Sequence, residues 1–402
     1  MSLKNDIFKE DLTAKSAVQL ANLIIAQAVN VKASDVHIEL YEQILRIRFR
    51  IDGVLHNIMH LPKQAHGSLI SRLKIMANMN IAERRIPQDG RMSLNIDGQD
   101  IDVRTASLPA TFGERLTLRL LNRSADMITL TELGGTDAVL EGLQQVIAQP
   151  HGCVLVTGPT GSGKSTTLRA ILSTLDLDAK NIITLEDPVE YRIEGVNQIQ
   201  INPKAGLTFA SGLRAILRSD PDIIMVGEIR DFETANLVIE SALTGHMVFS
   251  TLHTNDAPGS ITRLTEMGIE PFITASSLLA VVAQRLVRVL CPYCKEEYFL
   301  SQSDLVKISD LPWTLEEKKY DSVRLWRPVG CKYCNHTGYH GRTSIFEMLM
   351  VGEKIQEMII ERRSSLEIRK VALSDGMQSL KQDGLIKVKQ GITSLEELMR
   401  VV

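Results

Sequence analysis

The run Gly158-Pro159-Thr160-Gly161-Ser162-Gly163-Lys164-Ser165, followed by Thr166, has the composition and spacing of a phosphate-binding loop. It follows the short apolar run Cys153–Thr157 and precedes a stretch that reads as a helix from Thr166 onward. Strand, loop and helix in that order separate such a loop from a chance match. The glycines let backbone amides curl into a concave nest that no side chain obstructs. Lys164 then brings a positive charge to the outer phosphates, Ser165 offers a hydroxyl to Mg²⁺, and the following helix points its N-terminus at the anion. Cys153 is read as a small core residue.

Binding a phosphate chain is not cleaving it, and cleavage calls for carboxylates. Two apolar runs end in acidic residues: Asn181–Leu185 leads into Glu186-Asp187-Pro188, and Ile223–Val226 leads into Gly227-Glu228. In a parallel sheet ligands gather at the carboxyl ends of strands, so both acids are expected to converge on the loop. One suits a magnesium ion held through water, the other the proton of an attacking water. Asp231–Leu243 carries Ala235, Val238, Ile239 and Ala242 at helical spacing and stops at Gly245. His246 and a strand, Met247–Ser250, then lead to Thr251-Leu-His253-Thr254, a polar strand end placed to sense a terminal phosphate. Each histidine alone also fits an ordinary core or surface role.

A second chemistry sits near the end of the chain. Cys291-Pro-Tyr-Cys294 and Cys331-Lys-Tyr-Cys334 form two CxxC pairs, a four-thiolate set suited to tetrahedral Zn²⁺. His336 and His340 stand nearby as substitute ligands. Four thiolates leave no open coordination position, so such a metal would be structural.

These groups need elements to hold them. At 402 residues, two or three domains are expected. Hydrophobic residues at 44% and charged residues at 23% are those of a globular chain, and a net charge of -3 does not advertise nucleic-acid binding. No apolar run is long enough to span a bilayer, and Met1–Leu12 has no signal-peptide core, so the chain reads as cytoplasmic. In the N-terminal third, Ala17, Leu20, Ala21, Ile24 and Ala28 mark an amphipathic helix. Val36, Ile38 and Leu40 then alternate with Asp35, His37 and Glu39, and Leu45 to Ile51 alternate with Arg46, Arg48 and Arg50. Cross-strand ion pairs account for this better than a metal site at Asp35, His37 and Glu39.

Asp97-Gly98 is a two-residue hairpin turn between alternating runs. Counting outward pairs Ile96 with Gln99, Leu94 with Ile101, and Arg91 with Arg104 on the face away from the core. Like charges set opposite each other are destabilising, which suggests an anion between them; Asp102 and Glu114 are the alternative neutralisers. Arg115 and Arg119 on the next strand, Glu114–Leu121, are weaker candidates. A boundary is expected near Thr131–Asp137.

Taken together, Gly158–Ser165, Glu186-Asp-Pro-Val-Glu190, Asp220–Asp231 and Thr244–Thr254 resemble the ATPases that drive type II secretion and type IV pilus assembly. Ala33-Ser-Asp-Val-His-Ile-Glu39, Arg50-Ile-Asp-Gly53 and Gln88-Asp-Gly-Arg91 are similar to that family's N-terminal motifs. The resemblance implies an α/β protein with four parts. These are a PAS-like N-terminal domain over 1–130, a RecA-like core over 131–288, a tetracysteine zinc module over 289–345 and a C-terminal helical subdomain over 346–402.

It also implies ATP as substrate, Glu186 as general base, Glu228 as organiser of Mg²⁺ or water, and His246 and His253 as a nucleotide-contacting His box. Arg91 and Arg104 would reach nucleotide phosphates in a homo-hexamer. The tetracysteine module favours assembly or secretion over retraction. Partners would be the inner-membrane platform and cytoplasmic linker proteins of a secretion or pilus machine, with no specific nucleic acid. The chain would then sit peripherally at the inner membrane. Many relatives carry a further N-terminal domain, whereas this chain begins almost at the first shared helix. The tail, Leu366–Val402, reads as short helices broken at Gly376, Gly384 and Gly391.

The competing classes are a DNA-uptake or conjugative motor and a non-hydrolysing nucleotide-gated scaffold. An aromatic content of 4% and balanced charge argue against a nucleic-acid track. The two acidic strand ends argue against the scaffold.

Overall fold

The computed structural model describes residues 16–122, 128–301 and 322–402. It divides into two compact units, Met1–Asp126 and Met127–Val402, so the break falls a few residues earlier than the glycine pair suggests.

The first unit is built on an antiparallel sheet of β1 (Asp35–Leu40), β2 (Ile44–Ile51), β3 (Val54–Pro62), β4 (Gln88–Ile96), β5 (Gln99–Leu108) and β6 (Arg115–Asn122). Their spatial order is β3-β2-β1-β6-β5-β4. Helices α1 (Ala17–Asn30) and α2 (Ala65–Met76) cover the face that carries Val36, Ile38, Leu45, Ile47 and Phe49, all fully buried. Helix α1 starts where its sequence signals: the Ser16 hydroxyl accepts the Gln19 amide N–H, and the Gln19 side chain returns the bond to the Ser16 N–H.

The opposite face is a charge ladder. Asp35 pairs in register with Arg50 and Glu39 with Arg46. Arg48 places Nε and Nη2 3.0 and 2.9 Å from the two Glu39 oxygens, and Arg119 Nε lies 3.1 Å from Asp35. The acidic strand is thus an ion-pair face and not a ligand set. The unit also contains a buried pair with no period in the sequence: Lys74 Nζ lies 2.6 Å from Glu114, and Ser107 donates to the same carboxylate at 2.9 Å.

The second unit holds a sheet of order β15-β12-β7-β11-β10-β8-β9. Its strands are β7 (Gly152–Thr157), β8 (Ile182–Glu186), β9 (Asn197–Gln200), β10 (Ile223–Val226), β11 (Met247–Leu252), β12 (Leu278–Leu290) and β15 (Tyr339–Met350). All neighbours are parallel except β15, which runs antiparallel to β12 at the edge. Both faces of the central strands are covered, which is why β7, β8, β10 and β11 are mainly apolar runs instead of alternations. Along β7, Cys153 and Leu155 enter one core cluster while Val154 and Val156 enter the other.

The expected division after residue 288 does not follow this sheet. Between β12 and β15 the chain leaves to form a small hairpin, β13 (Glu296–Ser301) with β14 (Ser322–Arg327), and then returns to the sheet edge. The C-terminal helices are not separate either. Ile355, Ile359, Ile368 and Ala372 join the core of the main sheet, and Leu380, Leu385, Val388 and Leu398 pack with Val287 and Ile345. Gly384 lies inside the helix Leu380–Lys389 and does not break it. A side chain there would meet Leu398 Cδ1 at 2.2 Å, so the glycine permits two helices to approach closely. Among the described residues no helix is long and apolar enough to cross a membrane.

Candidate nucleotide site

The loop after β7 is shaped by its glycines. Gly158 has φ 149° and Gly163 has φ 91°, backbone that side chains disfavour. A Cβ at Gly158 would also sit 2.6 Å from the Gln284 carbonyl oxygen. Helix α3 (Lys164–Leu172) begins at the loop's lysine, so its free amides face the loop. The Lys164 ammonium donates to the carbonyls of Gly158 and Pro159 at 2.9 and 3.2 Å. Burial lowers its pKa, with Arg285 adding to the effect and the Glu228 carboxylate opposing it. A buried ammonium close to a carboxylate, within an amide nest, is a site short of negative charge.

Glu186 ends β8 and Glu228 follows β10 by two residues, and the two strands are direct neighbours in parallel register. Ser165, Glu186, Gly227 and Glu228 line one cavity of about 110 Å³. The convergence expected from the strand ends is therefore present. The two carboxylates differ in surroundings. Burial alone would raise the Glu228 carboxyl; Arg230 at 2.6 Å and His253 Nε2 at 3.4 Å outweigh it and hold the group below its ordinary value. Such a carboxylate stays ionised and suits a cation or an oriented water. Glu186 instead accepts neutral donors, the Thr184 hydroxyl at 2.6 Å and the Gln198 amide at 3.0 Å.

His253 thus joins the site, through Glu228. His246 does not: it precedes β11 at the sheet's other end, its backbone carbonyl accepts from Gly152 N–H at 3.1 Å, and its Nδ1 lies 3.0 Å from Ser241 O. The motif Thr244–Thr254 spans a whole strand, so its two histidines fall at opposite ends of β11. The residues Thr184, Gln198, Arg169 and Tyr191 were not apparent from spacing. Arg169 lies 4.2 Å over the Tyr191 ring and both line the cavity. Thr184 had one available signal, its position two residues before Glu186 on the same strand face. Gln198 had none, because its approach depends on the β8–β9 pairing.

In the N-terminal unit the hairpin count holds: Ile96 pairs with Gln99, Leu94 with Ile101 and Arg91 with Arg104. The row continues, since Arg104 pairs with Arg119, and these three arginines with Asp89 and Thr117 line a cavity of about 480 Å³. Of the two alternative neutralisers, Asp102 accepts from Ser93 at 2.7 Å, and Glu114 is buried against Lys74. Arg115 lies 3.1 Å from His37 and 3.4 Å from Glu39, which ties it to the ladder.

The four cysteines come together. Cys291 and Cys331 Sγ are 3.8 Å apart, Cys294 and Cys334 3.7 Å, and all four lie within 4.8 Å of one another. A tetrahedron of thiolates about 2.3 Å from a metal has edges of roughly 3.8 Å, so the set fits a metal. The backbone amides of Gly330, Cys331 and Gly338 donate to these sulfurs at 3.2–3.3 Å. Burial raises the Cys334 thiol, but the amides of Cys331 and Gly338 outweigh it and bring the group to about 7. His336 and His340 are outside this cluster; the His340 ring lies tilted against Tyr333, with centroids 4.8 Å apart.

Comparison with known proteins agrees with this geometry. The profile of the family described as Type II/IV secretion system protein matches residues 10–400. Type II secretion system protein E of Aeromonas hydrophila is 50% identical over 384 residues, covering 96% of this chain and 75% of that protein. Type II secretion system ATPase E of Vibrio cholerae matches to the same extent. Among solved structures, the pilus retraction motor PilT with bound ADP superposes with a TM-score of 0.62 at 27% identity, over 94% of this chain and 96% of that one. The Legionella pneumophila ATPase DotB reaches 0.70 at 22% identity, over 98% of this chain and 97% of that one, a likeness of fold. A phosphate loop, two strand-end glutamates and these matches lead to one conclusion: the chain belongs to the type II/IV secretion system family and is a motor ATPase of that class.

Proposed function

We propose that this chain hydrolyses ATP at the cavity below β8 and β10 and, as a cytoplasmic homo-hexamer, uses the cycle to drive assembly of a pilus or pseudopilus at the inner membrane. The observation that carries this reading is the convergence of Ser165, Glu186 and Glu228 on one cavity beside the phosphate loop. The amides of Gly158–Thr166 cradle the phosphates, and Lys164 neutralises the outer ones. Ser165, with Glu228 through water, would hold Mg²⁺, which when bound neutralises charge on the phosphate oxygens. Glu186 takes the proton of the attacking water. His253 acts through Glu228, restraining it; we assign no nucleotide contact to His246.

Arg91 and Arg104 are the cations we assign to the developing phosphate charge. Arg91 and Arg104 held opposite each other in register, on one cavity with Arg119, support an anionic partner for that face. We read the N-terminal unit as PAS-like, its first and last strands lying side by side mid-sheet. The four thiolates would hold a structural Zn²⁺ that fixes the excursion between β12 and β15. The platform and linker proteins of a secretion or pilus machine are the partners this reading requires.

Substitution Glu186→Gln tests the reading. ATP affinity is expected within about threefold of wild type, with steady-state phosphate release lowered about a hundredfold or more. Unchanged release would remove Glu186 from the role.

A further inference from the structure

Glu186 does not stand alone at the end of β8. Thr184 precedes it by two residues, so both side chains leave the strand on one face. Gln198 on β9 is the register partner of Thr184 and reaches that same face. The Thr184 hydroxyl donates to Glu186 Oε1 at 2.6 Å, and the Gln198 amide nitrogen donates to the same oxygen at 3.0 Å. Among the described residues both of these donors end on Oε1.

The orientation of Gln198 is itself determined. Its carbonyl oxygen accepts the Ile193 backbone N–H at 2.8 Å, and its amide nitrogen also donates to the Tyr191 carbonyl at 2.9 Å. Turning the amide over would set N–H against N–H at Ile193 and oxygen against oxygen at both Tyr191 and Glu186. The loop between β8 and β9 therefore fixes which end of Gln198 meets the carboxylate. Thr184 is fully buried, with no water to compete for its hydroxyl.

We propose that Gln198 and Thr184 are positioning residues that clamp Oε1 of Glu186 and present Oε2 to the attacking water. The inference rests on the assignment of Glu186 as the base. A glutamate has three side-chain torsions, and a rotamer change moves its oxygens out of hydrogen-bond reach of the water. Two fixed donors on one oxygen select a single arrangement before substrate arrives. The parallel pairing of β8 with the short edge strand β9 is what brings the second donor to the site.

The test uses the full chain. Gln198→Ala and Thr184→Val are each expected to lower kcat about tenfold while the KM for ATP stays within about twofold, because a misplaced base slows chemistry without weakening binding. Thr184→Ser, which keeps the hydroxyl, is expected to turn over as wild type. In a Glu186→Gln background Gln198→Ala is expected to change residual turnover by less than about twofold, since coupled residues are not additive. Wild-type kcat in both Gln198→Ala and Thr184→Val overturns the inference. So does an equal fall on adding Gln198→Ala to Glu186→Gln, which would mark Gln198 as a loop support only. Wild-type turnover by Glu186→Gln itself would remove the base assignment, a failure distinct from an inactive Glu186→Gln beside unaffected clamp variants.

Discussion

The two units place their charges in opposite ways. In the N-terminal antiparallel sheet the charged groups stand on a strand face and largely answer one another across strands: Asp35 with Arg50 and Arg119 in register, and Glu39 with Arg46 in register and Arg48 on the diagonal. In the mainly parallel sheet the central strands β7, β8, β10 and β11 are mainly apolar on both faces, and the functional charges, Lys164, Glu186 and Glu228, lie at or just beyond strand carboxyl ends. A face can pair its charges internally, because each residue has a cross-strand partner about 5 Å away. Strand ends have no such ladder, so acids and a lysine gathered there are available to substrate. At Arg91 and Arg104 the first sheet instead sets like charges opposite each other in register.

The largest effect is expected at Lys164. Replacing Lys164 with Ala should weaken ATP binding by about tenfold to a hundredfold and abolish turnover, as read by equilibrium titration with a fluorescent nucleotide. Intact binding would mean that the strand-end charge deficit is not what holds the phosphates. Next comes the arginine row. The double variant Arg91→Ala/Arg104→Ala should lose about tenfold or more in kcat with an unchanged far-ultraviolet spectrum. Full activity would return those arginines to the ordinary surface and restore the N-terminal face to a purely structural one.

The cysteine cluster represents a third placement, charge created in turns and held by backbone amides. Cys334→Ser, or a strong chelator, should lower the thermal midpoint by several degrees and release bound zinc, about one ion per chain, while ATP affinity remains. Metal content is measured by atomic absorption; a chain that never contained zinc would refute the four-thiolate assignment. The smallest effect belongs to the ladder. Burial would raise the Glu39 carboxyl, but Arg48, Arg115 and Arg46 hold it below its ordinary value of 4.5. Its contribution is therefore complete above about 4.5 and is lost as the pH falls through the lower folded value. Glu39→Gln should cost about 1 kcal/mol in denaturant unfolding at neutral pH and flatten that acid dependence, with turnover unchanged.

Much of this was legible because it depends on local pattern. The phosphate loop, the two strand-end glutamates and the hairpin register from Asp97-Gly98 each need only spacing and alternation. The four cysteines paired as their spacing suggested. The rest required tertiary information. Gln198 reaches Glu186 only because β9 adds in parallel to β8, and nothing in its neighbours signals that. His246 was grouped with His253 by motif, yet six residues of extended strand separate them. Gly384 looked like a helix end because glycine is a poor helix former, while in the fold it serves a close contact with Leu398. The β12–β15 pairing joins residues across the cysteine excursion, so a boundary drawn from sequence order cut through a continuous sheet.

The central claim is that strand-end carboxylates perform the cleavage, and a single-turnover experiment addresses it without interference from product release. Glu186→Gln, mixed with substoichiometric radiolabelled ATP and Mg²⁺ and quenched over time, should bind the nucleotide and form phosphate about a hundredfold or more slowly than wild type. Phosphate formation at the wild-type rate from the bound nucleotide would contradict the account.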